Sequence, residues 1–318
     1  MLGCLSRGLA RSGLMKLLLA GGLAPALAAG AEIDPLPVQQ IADGIYVYQA
    51  PYALAHPANE GAIANVGFIL GRDAVAVIDT GGSVRAGRRL LAAIRARTAL
   101  PIRYVVNTHM HPDHVLGNAA FTAENPRFVG HHKLARALSA RAETYLEAAR
   151  RELGADVVAG TAIVLPDLTV EGSLSLDLGD RRIELESQPT AHTDNDVTVF
   201  DGRTGTWFLG DLLFIGHVPA LDGRLKGWLA LLERARARSA ARVVPGHGPA
   251  AASWPEAAAP QERYLRGLET NVREALKAGR SMTEVAAGIG LSEQGAWALF
   301  DAFHARNSVS AYHELEWE

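Results

Sequence analysis

Between residues 107 and 114 the chain reads Asn-Thr-His-Met-His-Pro-Asp-His, directly after the apolar run 102–106 and just before Gly117 and Asn118. Three imidazoles and a carboxylate packed this closely cannot share one face of a helix, which repeats every 3.6 residues, or of a strand, which repeats every two. A loop at a strand end can make them converge. Convergent histidine nitrogens and a carboxylate oxygen are the donors that a zinc-type divalent ion takes, at about 2.0 to 2.2 Å. Buried without such a cation, titratable groups at this density would repel one another.

The chain that must carry this loop has 318 residues, enough for one large domain or two small ones, and its 48% hydrophobic fraction is that of an ordinary globular protein. A formal charge of -3 leaves no polybasic surface for nucleic acid, so the expected partner is a small-molecule substrate; the oligomeric state is left open. Residues 1–28 read as a secretory signal peptide. Arg7, Arg11 and Lys16 precede the apolar run 17–27, no acidic residue occurs before Glu32, and Ala26-Leu27-Ala28 has the small-x-small form of a cleavage site. Met15 is an alternative start. Gly21, Gly22 and Pro25 interrupt a run already short for a bilayer, so no stable span is expected after cleavage, and the product would be periplasmic or secreted. The only cysteine, Cys4, leaves with that segment, so a metal site must be built from His, Asp or Glu.

Periodicity places strands at residues 44–49, 65–70 and 74–79, the last two split by Gly71-Arg72-Asp73 as a hairpin. An amphipathic helix follows at 84–98 and a strand at 101–106, then a short helix or turn at 118–121, a strand at 128–130 and a helix at 134–153. Residues 32–40 read as a Pro-containing approach segment, and 154–167 as a loop that could wall a pocket, as could 52–62. A second group of strands lies at 174–178, 182–186, 197–200 and 206–209, with its sheet expected to end at Gly210-Asp211. A helix within 223–240, a strand at 242–244, helices at 260–278, 283–289 and 295–304, and a packing tail at 307–318 complete the reading. The residues from 29 to 318 are expected to form one domain with a helical C-terminal extension.

Three more single residues stand at strand ends beside Gly, Pro or Thr: His192 in Pro-Thr-Ala-His-Thr, Asp211 in Leu-Gly-Asp-Leu and His247 in Pro-Gly-His-Gly. With the first loop they make a pattern that resembles the metallo-β-lactamase superfamily, whose hallmark is His-x-His-x-Asp-His followed by a His, an Asp and a His on later strand ends. The resemblance runs from about Ile41 to His247 and includes Asp79 at an early strand end. It implies an α/β fold, a four-layered αβ/βα sandwich of two mixed sheets with outer helices. It also implies two zinc ions: His109, His111 and His192 on one, Asp113, His114 and His247 on the other, and Asp211 between them, with Asp79 holding a ligand histidine by its ring N–H. Asp113 and Asp211 would be the catalytic carboxylates.

Residues 105–121, 189–196, 210–214, 219–223, Trp228 and 307–318 are more narrowly similar to the quinoprotein relay system zinc metallohydrolases, exported proteins associated with PQQ-dependent alcohol oxidation and similar to hydrolases encoded beside sulfur-oxidation systems. The implied activity is attack by a metal-bound hydroxide on an ester, thioester or lactam. A class B3-like β-lactamase is an alternative, against which Asp211 stands, because those enzymes generally lack an aspartate there. Hydroxyacylglutathione hydrolases carry Gly-His-Thr-Pro-Gly where this chain has Ala191-His192-Thr193-Asp194-Asn195. A persulfide dioxygenase would use a similar rim with one iron, and a metal-holding periplasmic accessory protein would use it without turnover. Of the other conspicuous residues, His131-His132 reads as a solvated pair, while His217, Pro219, Asp222 and Trp228 divide evenly between lining a pocket and ordinary packing.

Overall fold

The computed structural model describes residues 33–318, so the expected signal peptide and Cys4 lie outside the described residues. Two apolar runs with a turn between them, Val66–Leu70 (β3) and Val75–Ile78 (β4), form the expected hairpin, which is the centre of the first sheet. Its order follows the chain: Gln39–Ala42 (β1), Ile45–Tyr48 (β2), β3, β4, Ile102–Val106 (β5), Arg127–His131 (β6) and Leu168–Val170 (β7), antiparallel as far as β4 and parallel from there on. The second sheet has Ser173–Asp177 (β8), Arg182–Ser187 (β9), Val197–Asp201 (β10), Thr206–Phe214 (β11) and Arg242–His247 (β12) in the order β12-β11-β10-β9-β8, with only the β11–β12 pair parallel. The helices are Val84–Arg95 (α1), Pro112–Val115 (α2), Leu134–Leu153 (α3), Ala155–Val158 (α4), Leu225–Ala235 (α5), Ala259–Lys277 (α6), Met282–Gly288 (α7) and Phe300–Leu315 (α8).

Strands buried on both faces read as unbroken apolar runs, and β4 shows why. Val75 and Val77 face the outer layer with Leu90, Ala93 and Ile94 of α1, while Ala76 and Ile78 face inward with Ile183, Leu185, Val197 and Val199 of the second sheet. On the far side of that sheet Trp207, Leu213 and Val243 pack on Trp228 of α5, Tyr264 and Leu268 of α6 and Phe300 of α8. The layers are therefore helix, sheet, sheet, helix, as the sequence led one to expect. None of the described helices is long and apolar enough to cross a membrane.

Four local readings need correction. β1 lies in what read as an approach segment; its Gln39-Gln40 start is exposed, as suits an edge strand that pairs on one side only. Residues 154–167 are not wholly loop, because α4 makes one turn of helix there. β11 does not end at Gly210-Asp211 but bends at Gly210, whose φ of +52° needs no Cβ to avoid, and continues to Phe214. The expected helix at 295–304 and the packing tail at 307–318 are replaced by one helix, α8, which starts only at Phe300 and runs to Leu315, leaving 316–318 beyond it.

The sheets are also tied by charge. Arg181 and Asp201 are both buried and paired through two bonds of 2.8 and 2.9 Å, and Arg181 Nη1 donates to Leu70 O of the first sheet at 2.8 Å. Arg181→Met leaves the Asp201 carboxylate buried without its partner, so urea denaturation should show a loss of about 3–5 kcal/mol; a loss under 1 kcal/mol would contradict this reading of the pair.

Candidate metal centre

Strand ends, strand-linked loops and the bend in β11 deliver the side chains. β4 stops at Asp79, whose φ of 57° turns the chain and whose carboxylate accepts from Thr108 N at 2.8 Å and Thr108 Oγ1 at 2.7 Å, pinning the loop after β5. Asn107 and Asn118 exchange side-chain bonds of 2.7 and 3.1 Å across the same loop. Pro112, pre-set for a first helical position, starts α2 and puts Asp113 and His114 on one turn. His192 lies between β9 and β10, Asp211 just past the bend in β11, and His247 at the last position of β12.

All seven residues named from the sequence meet. One donor atom from each of His109, His111, His192 and Asp211 lies within 4.8 Å of the others, and the same holds for Asp113, His114 and His247. His111 Nδ1 is 3.1 Å from His109 Nε2 and 3.0 Å from His192 Nε2. Asp211 faces both groups: its oxygens lie 3.1 Å from His114 Nε2, 3.4 Å from His192 Nε2, 3.5 Å from His247 Nε2 and 3.7 Å from His109 Nε2. Asp113 Oδ2 is 3.4 Å from His247 Nε2 and 3.7 Å from His114 Nε2.

Most of these rings are held by the nitrogen that points away from the cluster. His114 Nδ1 meets Asp79 Oδ2 at 2.8 Å, the role expected of Asp79; His192 Nδ1 meets Ala220 O at 2.7 Å, His111 Nε2 meets Asp222 Oδ2 at 3.1 Å, and His109 Nδ1 meets Thr108 Oγ1 at 3.1 Å. An acceptor on the outer nitrogen fixes the N–H there and leaves the inner nitrogen with a lone pair. Lone pairs converging on carboxylates suit a cation. The fit is tested by His114 Nε2 and Asp211 Oδ1, both buried and without a hydrogen-bond partner despite their 3.1 Å approach. Such unpaired buried atoms are costly unless something else binds them.

The charges agree. Burial pushes the His114 imidazole down, but Asp211, Asp113 and Asp79 outweigh it and hold its pKa well above the ordinary value; His247, buried too, is raised to about 9 chiefly by Asp211. Burial would raise the Asp211 carboxyl, yet His114, His247 and His109 hold it well below the usual range. His192, which has Asp211 but not Asp113 beside it, is pushed down to about 3 by burial, with the His111 ring adding to the effect. The carboxylates thus demand positive charge on the side of His114 and His247, and the centre as a whole is built for cations.

A cavity of about 540 Å³ opens on His111, Asp113, Asp211 and His247. Ala53 and Leu54 from the 52–62 loop line it as anticipated, but residues 154–167 do not; the wall on that side is Glu152 and Leu153 at the end of α3. Tyr145 of α3 and Phe303 and Arg306 of α8 complete the wall and have no local sequence signal, because only helix docking brings them there. His217 lines the cavity; Trp228 instead packs on His192, ring centroids 5.3 Å apart, and Asp222 supports His111. The pair at 131–132 is not simply solvated: His131 is buried, stacks on His132 at 4.2 Å and accepts from Lys133 N.

The model described as the metallo-beta-lactamase superfamily matches residues 60–247. A linear primary-alkylsulfatase of Pseudomonas sp. (strain ATCC 19151) is 46% identical over 48 residues, 15% of this chain and 9% of that protein, so the match spans under a tenth of the relative's length. Among solved structures, a metallo-beta-lactamase from Pontibacter korlensis superposes with a TM-score of 0.58 at 20% identity, over 72% of this chain and 98% of that one. The stereoselective inverting sec-alkylsulfatase Pisa1 from Pseudomonas sp. gives 0.67 at 16% identity, over 87% of this chain and half of its own. The family model covers more than half of the chain and ends on the last of the converging histidines, and by that match the protein belongs to the metallo-β-lactamase superfamily, with a candidate divalent-metal site.

Proposed function

We propose that the protein is an exported hydrolase with two zinc ions, acting on an ester, thioester or lactam whose body is apolar. His109, His111 and His192 would hold one ion, Asp113, His114 and His247 the other, and Asp211 would reach both. Bound zinc would supply Lewis acidity, lowering the pKa of a water molecule to about 7 and polarising the group under attack. The observation that carries the reading is the pair of unpartnered buried atoms, His114 Nε2 and Asp211 Oδ1, in a cluster that opens on a mostly apolar cavity.

The chain's own groups divide the remaining work. Asp113, at the cavity floor, offers a carboxylate oxygen to orient the attacking water. Leu54, Ile63, Leu116, Leu153 and Phe303 exclude bulk water and take the substrate body, which strengthens every charge interaction at the floor. His217 donates from Nδ1 to Val218 O at 2.6 Å, which leaves Nε2 as the free acceptor of a cavity-lining ring. The narrower likeness to the quinoprotein relay hydrolases supports export by residues 1–28 and a place beside PQQ-dependent oxidation.

A second reading, hydrolysis of an alkyl sulfate ester, draws support from the 46% identical stretch shared with the linear primary-alkylsulfatase. The test is a panel of aryl esters, thioesters, phosphodiesters, nitrocefin and a long-chain alkyl sulfate, run on chelator-treated protein with and without added zinc, beside metal analysis. Activity restored by zinc, with two zinc ions per chain, is expected. Full activity in the stripped protein would end this mechanism, a single iron would move the protein to dioxygenase chemistry, and zinc binding without turnover would leave an accessory role.

A further inference from the structure

The two imidazoles His192 and His111 take their outer hydrogen bonds from one short segment, residues 219–222. Ala220 O accepts from His192 Nδ1 at 2.7 Å and Asp222 Oδ2 accepts from His111 Nε2 at 3.1 Å. This segment has no strand or helix of its own to hold it. It is held by α8. Asn307 Oδ1 accepts from Leu221 N at 2.9 Å and Asn307 Nδ2 donates to Pro219 O at 2.6 Å, so the amide grips the backbone on both sides of Ala220. One residue earlier, Arg306 Nη2 donates to Asp222 Oδ1 at 2.8 Å.

The grip is itself fixed by a directed chain of buried hydrogen bonds. Asn307 Nδ2 also donates to Tyr264 Oη at 2.9 Å, Tyr264 Oη donates to His304 Nδ1 at 2.8 Å, and His304 Nε2 donates to Ile289 O at 2.8 Å. Asn307 and Tyr264 are each 1% exposed and His304 is 4% exposed, so no water competes and every donor in the chain has one direction to point. His114, in contrast, is oriented by Asp79 of the first sheet, with no tie to α8.

We propose that Asn307 is a positioning residue for the metal centre, acting through residues 219–222 on the ion held by His109, His111 and His192 and not on the ion held by Asp113, His114 and His247. The inference rests on the two-ion reading above. No hydrogen bond or ion pair runs from α8 to a donor residue; the effect of Asn307 passes through the orientation of two rings, and loss of such outer partners costs about 10–100-fold in metal affinity.

The experiment is zinc titration of the full chain against a chromophoric chelator, wild type beside Asn307→Leu, which keeps the volume and removes both bonds to the 219–222 segment along with the one to Tyr264. One zinc equivalent should weaken about tenfold, the low end of that range because Asn307 stands one bond further out, while the other stays at its wild-type affinity. Equal affinities for both equivalents, or equal weakening of both, would overturn the proposal. Should Asn307→Leu not fold, Asn307→Asp, which keeps the acceptor for Leu221 N, is titrated in its place with the same one-sided loss expected and the same outcomes against it. A wild type that binds no zinc would instead sink the two-ion reading itself.

Discussion

Asp211→Ala should cost roughly 10³-fold in zinc-dependent kcat/KM, the scale on which losing one group aimed at reacting charge is felt. The expectation follows from position. Asp211 alone has oxygens near donors of both groups, 3.1 Å from His114 Nε2 on one side and 3.4 Å from His192 Nε2 on the other, and it is 4% exposed, so water cannot take its place cheaply. Alanine leaves the imidazoles in place but removes the anion that sets their spacing. Zinc content should fall below two per chain while the fold survives, which circular dichroism and metal analysis would show together. A variant that kept a tenth or more of the activity with two zinc ions bound would exclude a bridging carboxylate.

Gly246→Ala should disable the centre without touching a donor atom. A Cβ at Gly246 would stand 1.9 Å from Asp211 Oδ1, 2.8 Å from Gly210 C and 2.9 Å from Asp211 N. The first contact is a side chain that could turn away, but only out of the cluster; the other two are backbone of the bent part of β11 and cannot yield locally. Because Gly246 O also accepts from Asn65 N at 2.7 Å, β12 is held from its other side. Activity should therefore fall about 100-fold or more, comparable to losing a charge-stabilising group, and stability by about 1–3 kcal/mol from overpacking. Gly267→Ala is the comparison: nothing lies within 4 Å of that Cβ in the middle of α6, and helix propensity should raise stability by up to about 1 kcal/mol with activity unchanged. Wild-type activity in Gly246→Ala would show that β11 and β12 can move apart at no cost to the centre.

The donor residues were legible in the sequence because their chemistry and their placement coincide. A histidine or aspartate beside glycine, proline or threonine near the end of an apolar run has few structural reasons to be there, and the five histidines and two aspartates read in this way meet in the fold. Helix α3 was equally plain, from Leu134–Leu153, since composition alone favours helix along its length. What stayed hidden depends on contacts between distant parts of the chain. β1 is polar because it is an edge, so it lacks the alternation that marks a strand. The run of β11 past Gly210 is secured by its parallel partner β12, which lies more than thirty residues away and leaves no local mark. Tyr145, Phe303, Arg306 and Asn307 look like ordinary helix residues until docking turns them toward the cavity or the 219–222 segment. Asp222 neither lines the cavity nor merely packs: its carboxylate steadies His111, a use that only the fold reveals.

Each group of donors draws on both sheets, His109, His111, Asp113 and His114 from the loop after β5 and His192, Asp211 and His247 from the second half of the chain. An ion in either place is therefore a rivet through the seam of the sandwich rather than a guest on one plate. Neither half can be riveted ahead of the other, so capture of metal has to wait until the whole seam is shut, and its release would be felt as play between the plates.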